Sequence, residues 1–260
     1  FRVFEYPSFL SPVAFELFGL TIRWYSISYI LGFIYFYFFA YNNLKQFSLD
    51  KKKLEDLFFY LFISVIIGGR LGYAIFYNLN FYIQNPFEIL KVWQGGMSFH
   101  GALIGIILTT IIFSIKKNIS IFKLSDLLSI TAPFGIFLGR ISNFLNKELI
   151  GKPTEFFLSV RYPNEDFYRH ISQIYEAIFE GLIPAILLLL FYYKFRVKNG
   201  FITSFFLINY GLSRIIIENF RVPDIQVGLK FNLLSQGQLL SIPIVILGFY
   251  FLYLCQYKQR

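Results

Sequence analysis

The run GRISNFLNKELIG, from Gly139 to Gly151, sets an arginine, two asparagines and a glutamate at the end of an apolar stretch fit to cross a bilayer. Arg140, Asn143 and Asn146 are spaced i, i+3 and i+6, and Glu148 follows, so four polar groups crowd about two turns. That is more than anchoring a helix requires. A second run, SRIIIENFR, puts Glu218 at i+4 and Arg221 at i+7 from Arg214, so the three share a face and can compensate one another without any ligand. His100, in GGMSFHGALIG, stands at a helix start behind a glycine pair. It reads either as a satisfied structural histidine or as a base. Two arginines, two asparagines and a histidine suit an anion, because guanidinium forks match phosphate oxygens bidentately. Inside a membrane the abundant anion of that kind is a phospholipid headgroup.

The elements that position these residues are membrane helices. Of 260 residues, 56% are hydrophobic and 15% charged, with a mean hydropathy of +0.57, which is outside the range of soluble domains. The net charge of +9 reads as basic cytoplasmic loops and not as a nucleic-acid surface, since no basic patch is interleaved with aromatics. One cysteine, Cys255, excludes an internal disulfide. Two histidines, without paired-carboxylate or HExxH spacing, point to no metal, and no cofactor is expected. The chain begins at Phe1, its only methionine is Met97, and no segment reads as a removable signal peptide.

Seven apolar stretches, near 22–41, 56–78, 97–115, 124–145, 173–193, 200–217 and 236–257, approach the roughly 20 residues that a helix needs to span hydrocarbon. The fold expected is therefore all-α, a polytopic membrane protein with about seven transmembrane helices in one domain, 1–260. Loops 42–55, 116–123, 194–199 and 258–260 hold 12 Lys and Arg in 31 residues, whereas the loops of the other side hold 8 in 84. Positive residues favour the cytoplasm, so the N-terminus is expected outside and the C-terminus inside, with 146–172 as a small periplasmic head. Four arginines, Arg23, Arg70, Arg140 and Arg214, remain in or at the spans, where each needs a partner, a wet cavity or an interfacial depth. Arg23 and Arg70 taken singly are explained by snorkelling or a salt bridge. At about 1.5 Å per residue, Arg70, Arg140 and Arg214 stand about 21 to 24 Å from the cytoplasmic ends of their helices. Tyr25, His100, Gln173 and Glu176 fall in the same outer layer.

These segments together resemble a family, the bacterial prolipoprotein diacylglyceryl transferases. GRISNFLNKELIG resembles that family's signature. RWYSISY, GGRLGYAIFYN, VWQGGMSFHGALIG, RHISQIYE and YGLSRIIIENFRVPD look like family segments in the family's order, with Ile171 standing where the family usually has proline. The resemblance implies transfer of the diacylglyceryl group of phosphatidylglycerol to the lipobox cysteine of a preprolipoprotein signal peptide, in the bacterial inner membrane, with the site toward the outer leaflet. It implies catalytic roles for His100, Arg140, Arg214 and Tyr25. Lipid binding would fall to Arg140, Asn143, Asn146, Glu148, Gly151, Arg214 and Glu218, with support from Arg70, His170, Gln173, Glu176 and Tyr210. The partners implied are phosphatidylglycerol, the preprolipoprotein and surrounding membrane lipids. The reading from another class is an anion or lipid transporter with the arginines lining a path; it calls for inverted repeats or charges on both sides of the midplane.

Overall fold

The computed structural model describes residues 4–17, 20–195, 197–223, 229–230 and 234–257. The chain is an all-α polytopic membrane protein in which short strands decorate long helices. It forms two compact units, one from Phe1–Phe36 with Leu128–Arg260 and the other from Tyr37–Leu127.

In chain order the helices are α1 (Trp24–Asn42), α2 (Lys51–Tyr77), α3 (Leu79–Gln84), α4 (Phe99–Lys117), α5 (Ile121–Leu145), α6 (Ser172–Glu176), α7 (Ile183–Lys194), α8 (Phe201–Ile217) and α9 (Gln236–Tyr257). A π-turn, Ala177–Leu182, joins α6 to α7, so Ser172–Lys194 runs as one helix, and a 3₁₀ turn extends α8 to Phe220. Among the described residues six helices are long and apolar enough to span a membrane: α2, α4, α5, Ser172–Lys194, Phe201–Phe220 and Gln236–Gln256. The first of the seven expected stretches does form a helix, α1, of 19 residues, but five tyrosines lower its hydropathy. Bulky apolar side chains stand exposed along the spans, among them Ile67 and Ile75 on α2, Ile107 and Ile111 on α4, and Phe249 on α9. In a bilayer such side chains meet lipid.

The unit Tyr37–Leu127 is built on α2 and α4. Helix α2 starts five residues before the expected stretch because the Asp50 side chain accepts the Lys53 N–H at 2.8 Å, capping a charged first turn. Ser98 caps α4 in the same way through the Gly101 N–H. The two helices touch backbone to backbone: a Cβ on Gly101 would lie 2.2 Å from the Gly68 carbonyl oxygen, and one on Gly105 would lie 2.6 Å from that of Ser64. Small residues permit this approach, which replaces the hydrophobic drive absent between helices in lipid.

In the unit of Phe1–Phe36 and Leu128–Arg260, strands β2 (Val13–Leu17) and β3 (Leu20–Arg23) pair antiparallel, and Arg23 pairs with Val13. Arg23 thus ends a strand, where the sequence reading had put it inside the first span. Residues 146–172 carry β4 (Ser159–Arg161) and β5 (Arg169–His170); β4 lies between β5 and the N-terminal β1 (Phe4–Glu5), parallel to β1. Tyr6, Val160 and Tyr162 form the core of this small sheet, with Phe144 and Ile150 against it. Helices α8 and α9 pack closely, and at the end of α9 the buried Cys255 thiol donates to the Asn199 carbonyl at 3.2 Å.

Gly101→Ala should force α2 and α4 apart and cost about 1–3 kcal/mol of stability, as overpacking typically does. Thermal denaturation of the detergent-solubilised protein checks this. An unchanged midpoint would mean that the helices part freely.

Candidate active site

Two polar clusters meet at Arg140 in the unit that contains α5 and α8. The first is a ring of charges. Glu176 and Glu180, one turn apart across the start of the π-turn, each bridge the same two arginines. Glu180 Oε2 accepts from Arg140 Nη2 at 3.1 Å, and its Oε1 accepts from Arg214 Nη1 at 3.5 Å. Glu176 Oε1 accepts from Arg214 Nη1, while its Oε2 lies 3.1 Å from Arg140 Nη1 without a hydrogen bond's alignment. Farther along α8, Glu218 Oε2 is 2.9 Å from Arg214 Nη2, and Arg221 Nη1 stands 3.8 Å from both Glu218 and Glu176. Three guanidiniums therefore face three carboxylates. Each carboxylate is buried, which is tolerable only in such a paired arrangement. Tyr210, one turn before Arg214, has Arg140, Arg214, Glu176 and Glu180 as the charges around its phenol.

The second cluster grows from the end of α5. Lys147 adopts a left-handed φ of 58°, its N–H bonds the Phe144 carbonyl at 3.1 Å, and the Glu148 N–H bonds the Asn143 carbonyl at 2.9 Å. This double closure of a helix end folds Glu148 back beneath Asn143, although a lysine stands where glycine is usual. The Glu148 carboxylate then accepts from the Tyr25 hydroxyl, from Asn143 Nδ2 at 3.2 Å and from Asn146 Nδ2 at 3.4 Å. Asn143 Nδ2 also donates to Tyr25, and Asn143 Oδ1 accepts from Arg140 Nη1 at 3.5 Å, joining the two clusters. Asn146 Oδ1 is buried and has no hydrogen-bond partner among the described residues. Ser28 fixes α1 to α5 here, reaching Ser142 at 2.6 Å and the Leu138 carbonyl at 3.1 Å.

Behind Glu148, the buried Gln173 donates to the Glu148 carbonyl at 2.6 Å and to the Tyr162 hydroxyl at 3.2 Å. Gly151 pairs with Arg221 in an isolated bridge, and a Cβ there would fall 2.1 Å from the His170 carbonyl oxygen. Its smallness serves a close crossing of two loops and not a helix cap, since α5 has already ended at Leu145. The His170 ring packs on Phe220 and Tyr175. Burial, and after it the charge of Lys152, holds its imidazole below the usual histidine range.

In the other unit Arg70 is buried, and among the described residues its guanidinium donates to backbone: Nε to Ile89 at 2.9 Å, Nη2 to Glu88 at 2.7 Å and Lys91 at 3.1 Å, and Nη1 to Gly95 and Gly96. It therefore gathers the loop that leads into α4. At the far end of that loop the Ser98 N–H bonds the Gly69 carbonyl at 2.8 Å, and His100 follows on the first turn of α4, exposed, with its ring against Phe99.

The model of the family described as prolipoprotein diacylglyceryl transferase matches residues 12–254. The chain belongs to the prolipoprotein diacylglyceryl transferase family. A protein of Ehrlichia canis named phosphatidylglycerol–prolipoprotein diacylglyceryl transferase is 44% identical over 256 residues, which is 96% of this chain and 98% of its own length. Proteins of the same name from Rickettsia typhi and Rickettsia bellii are 45% and 42% identical, covering 93% of this chain and 95% and 94% of theirs. In this family member the sequence reading missed Glu180. The signal was available, because a carboxylate in mid-span calls for a partner just as an arginine does.

Glu176→Gln should lower stability by about 3 kcal/mol, the low end for breaking a buried ion pair, because Glu180 and Glu218 still hold the arginines. Denaturant titration in detergent measures it, and an unaltered midpoint would remove the ring from the fold's support. For His170 the sign follows from its depressed pKa. The unfolded chain takes up the proton more readily, so stability present above about pH 6.5 is lost as pH falls below it. His170→Gln should flatten that part of the thermal-stability profile between pH 7 and 5; parallel profiles would contradict it.

Proposed function

We propose that this chain transfers the diacylglyceryl group of phosphatidylglycerol to the lipobox cysteine of a preprolipoprotein, the first step of lipoprotein maturation. The observation that carries the reading is the arginine pair. Arg140 and Arg214 are held side by side with 17% and 11% of their side chains accessible, whereas Glu176 and Glu180 behind them are fully buried. The arginines, not the carboxylates, carry the accessible surface of the ring.

The chemistry follows from that presentation. The cysteine sulfur attacks the lipid's glycerol carbon that bears the phosphate, a C–S bond forms, and the C–O bond breaks with its electron pair going to the phosphate oxygen. The thiol proton goes to a base, for which His100 is the residue suggested by the family motif. Arg140 and Arg214 stabilise the charge that grows on the departing phosphate, which counts for most where water is scarce. The unpartnered Asn146 Oδ1 suits a hydroxyl of the glycerol headgroup, and Tyr25, Asn143 and Glu148 hold the amide that touches Arg140. The product that leaves with the phosphate is glycerol phosphate.

Orientation is part of the same proposal. With α1 counted as a seventh span, the two termini lie on opposite sides. The lysines of the first turn of α2 and the last turn of α4 lie on the cytoplasmic side, and residues 146–172 and the site lie toward the outer leaflet of the inner membrane.

The test is the protein purified in detergent with phosphatidylglycerol and a lipobox peptide, followed by mass spectrometry for the thioether and by release of glycerol phosphate. Arg140→Lys and Arg214→Lys keep a buried charge but lose the planar fork, and each should slow transfer by about 100-fold or more with the protein still folded. Near-normal rates in either would remove its phosphate role. His100→Gln should depress the rate most at low pH, where the thiolate is scarcest; an unchanged rate at every pH would assign His100 to packing.

A further inference from the structure

The arginine pair is occupied before any lipid arrives. Arg140, Arg214 and Arg221 face Glu176, Glu180 and Glu218, three cations to three carboxylates, and a phosphodiester comes to guanidiniums that already have carboxylate partners. The three carboxylates are not held equally, and the geometry distinguishes them. Glu176 is within reach of all three arginines. Glu218 lies one turn from Arg214 on the same helix, at 2.9 Å. Glu180 holds Arg140 at 3.1 Å and Arg214 at a loose 3.5 Å, and Arg140 is the more accessible of the two arginines. Its backbone is fixed: a Cβ on the neighbouring Gly181 would lie 2.7 Å from Phe137 Cα on α5, so exchange at Arg140 is a side-chain rotation within the π-turn and not a shift of the helix.

We propose that Glu180 is a resident counter-ion, a positioning residue whose carboxylate occupies the place on Arg140 that the lipid phosphate takes. It holds the guanidinium in the unliganded protein and returns to it as the phosphate-bearing product leaves. The proposal rests on the reading of Arg140 as the phosphate's partner. It adds that this internal carboxylate weakens the binding of any phosphate ester, lipid or free, and thereby speeds product release.

Calorimetric titration of the full-length protein in detergent with dihexanoyl phosphatidylglycerol, and separately with glycerol phosphate, tests it. Glu180→Gln should bind both ligands roughly tenfold more tightly, the order expected for one uncompensated charge beside a partly screened guanidinium. The gain should vanish in the Arg140→Gln, Glu180→Gln double variant. In the transfer assay Glu180→Gln should show a lower KM for the lipid together with a lower kcat, whereas a merely structural role would reduce only the folded fraction. Equal or weaker binding in Glu180→Gln, or a gain that persists without Arg140, would overturn the proposal. Should Glu180→Gln not fold, Glu180→Asp, which withdraws the charge by one methylene, carries the same test: a smaller gain supports the counter-ion and no gain refutes it. A wild-type protein that binds lipid but transfers nothing would end the transfer reading alone, and one that binds neither ligand would end both.

Discussion

Two carboxylates shared between two guanidiniums, in a protein surrounded by hydrocarbon, are the constraint on which the rest of the site depends. Glu176 and Glu180 come from one helix, Arg140 from α5 and Arg214 from α8, so the ring ties three spans at one level. An isolated charge at that depth would be costly, and a ring of alternating sign removes the cost while keeping the charges in place. The arrangement also fixes the separation of the two guanidiniums, which loops or single ion pairs would leave free.

The second cluster depends on the first. The closed turn at Lys147 returns Glu148 to Asn143 and Tyr25, and Asn143 passes the alignment on to Arg140. Gln173 and Tyr162 hold the backbone of Glu148 from the small sheet, whose strands come from both the N-terminus and residues 146–172. The polar side chains nearest the arginines are thus set by a chain of contacts that starts outside the spans. Arg70 does comparable work in the other unit with different means. Among the described residues its hydrogen bonds go to loop carbonyls, and the order they impose reaches the residues before His100.

Much of this was legible in the sequence, for identifiable reasons. The pairing of Arg214 with Glu218 follows from helical spacing alone, and the structure keeps it at 2.9 Å, whereas Arg221 lies past the helix end on extended backbone and reaches Glu218 at 3.8 Å from there. Arg140 with its asparagines was visible because polar residues at the end of an apolar run are conspicuous. Glu180 was not singled out, because its partners lie 34 and 40 residues away and no local pattern links them. The left-handed Lys147 was equally hidden, since that conformation is unusual for any residue but glycine or asparagine and only tertiary context selects it. Helix α2 begins earlier than hydropathy suggests because a cap and three lysines extend it into water, where apolar content says nothing. The strand that ends at Arg23 was missed for a related reason: a short hairpin before a span carries little periodic signal.

The central claim is that Arg140 and Arg214 together grip the phosphate of a lipid headgroup. The most direct measurement is a structure of this chain with a non-cleavable phosphonate analogue of phosphatidylglycerol. The account predicts phosphonate oxygens about 2.8 Å from nitrogens of both guanidiniums, with the glycerol end beside Asn146. A headgroup bound elsewhere, with Arg140 and Arg214 still wholly engaged by Glu176 and Glu180, would contradict it.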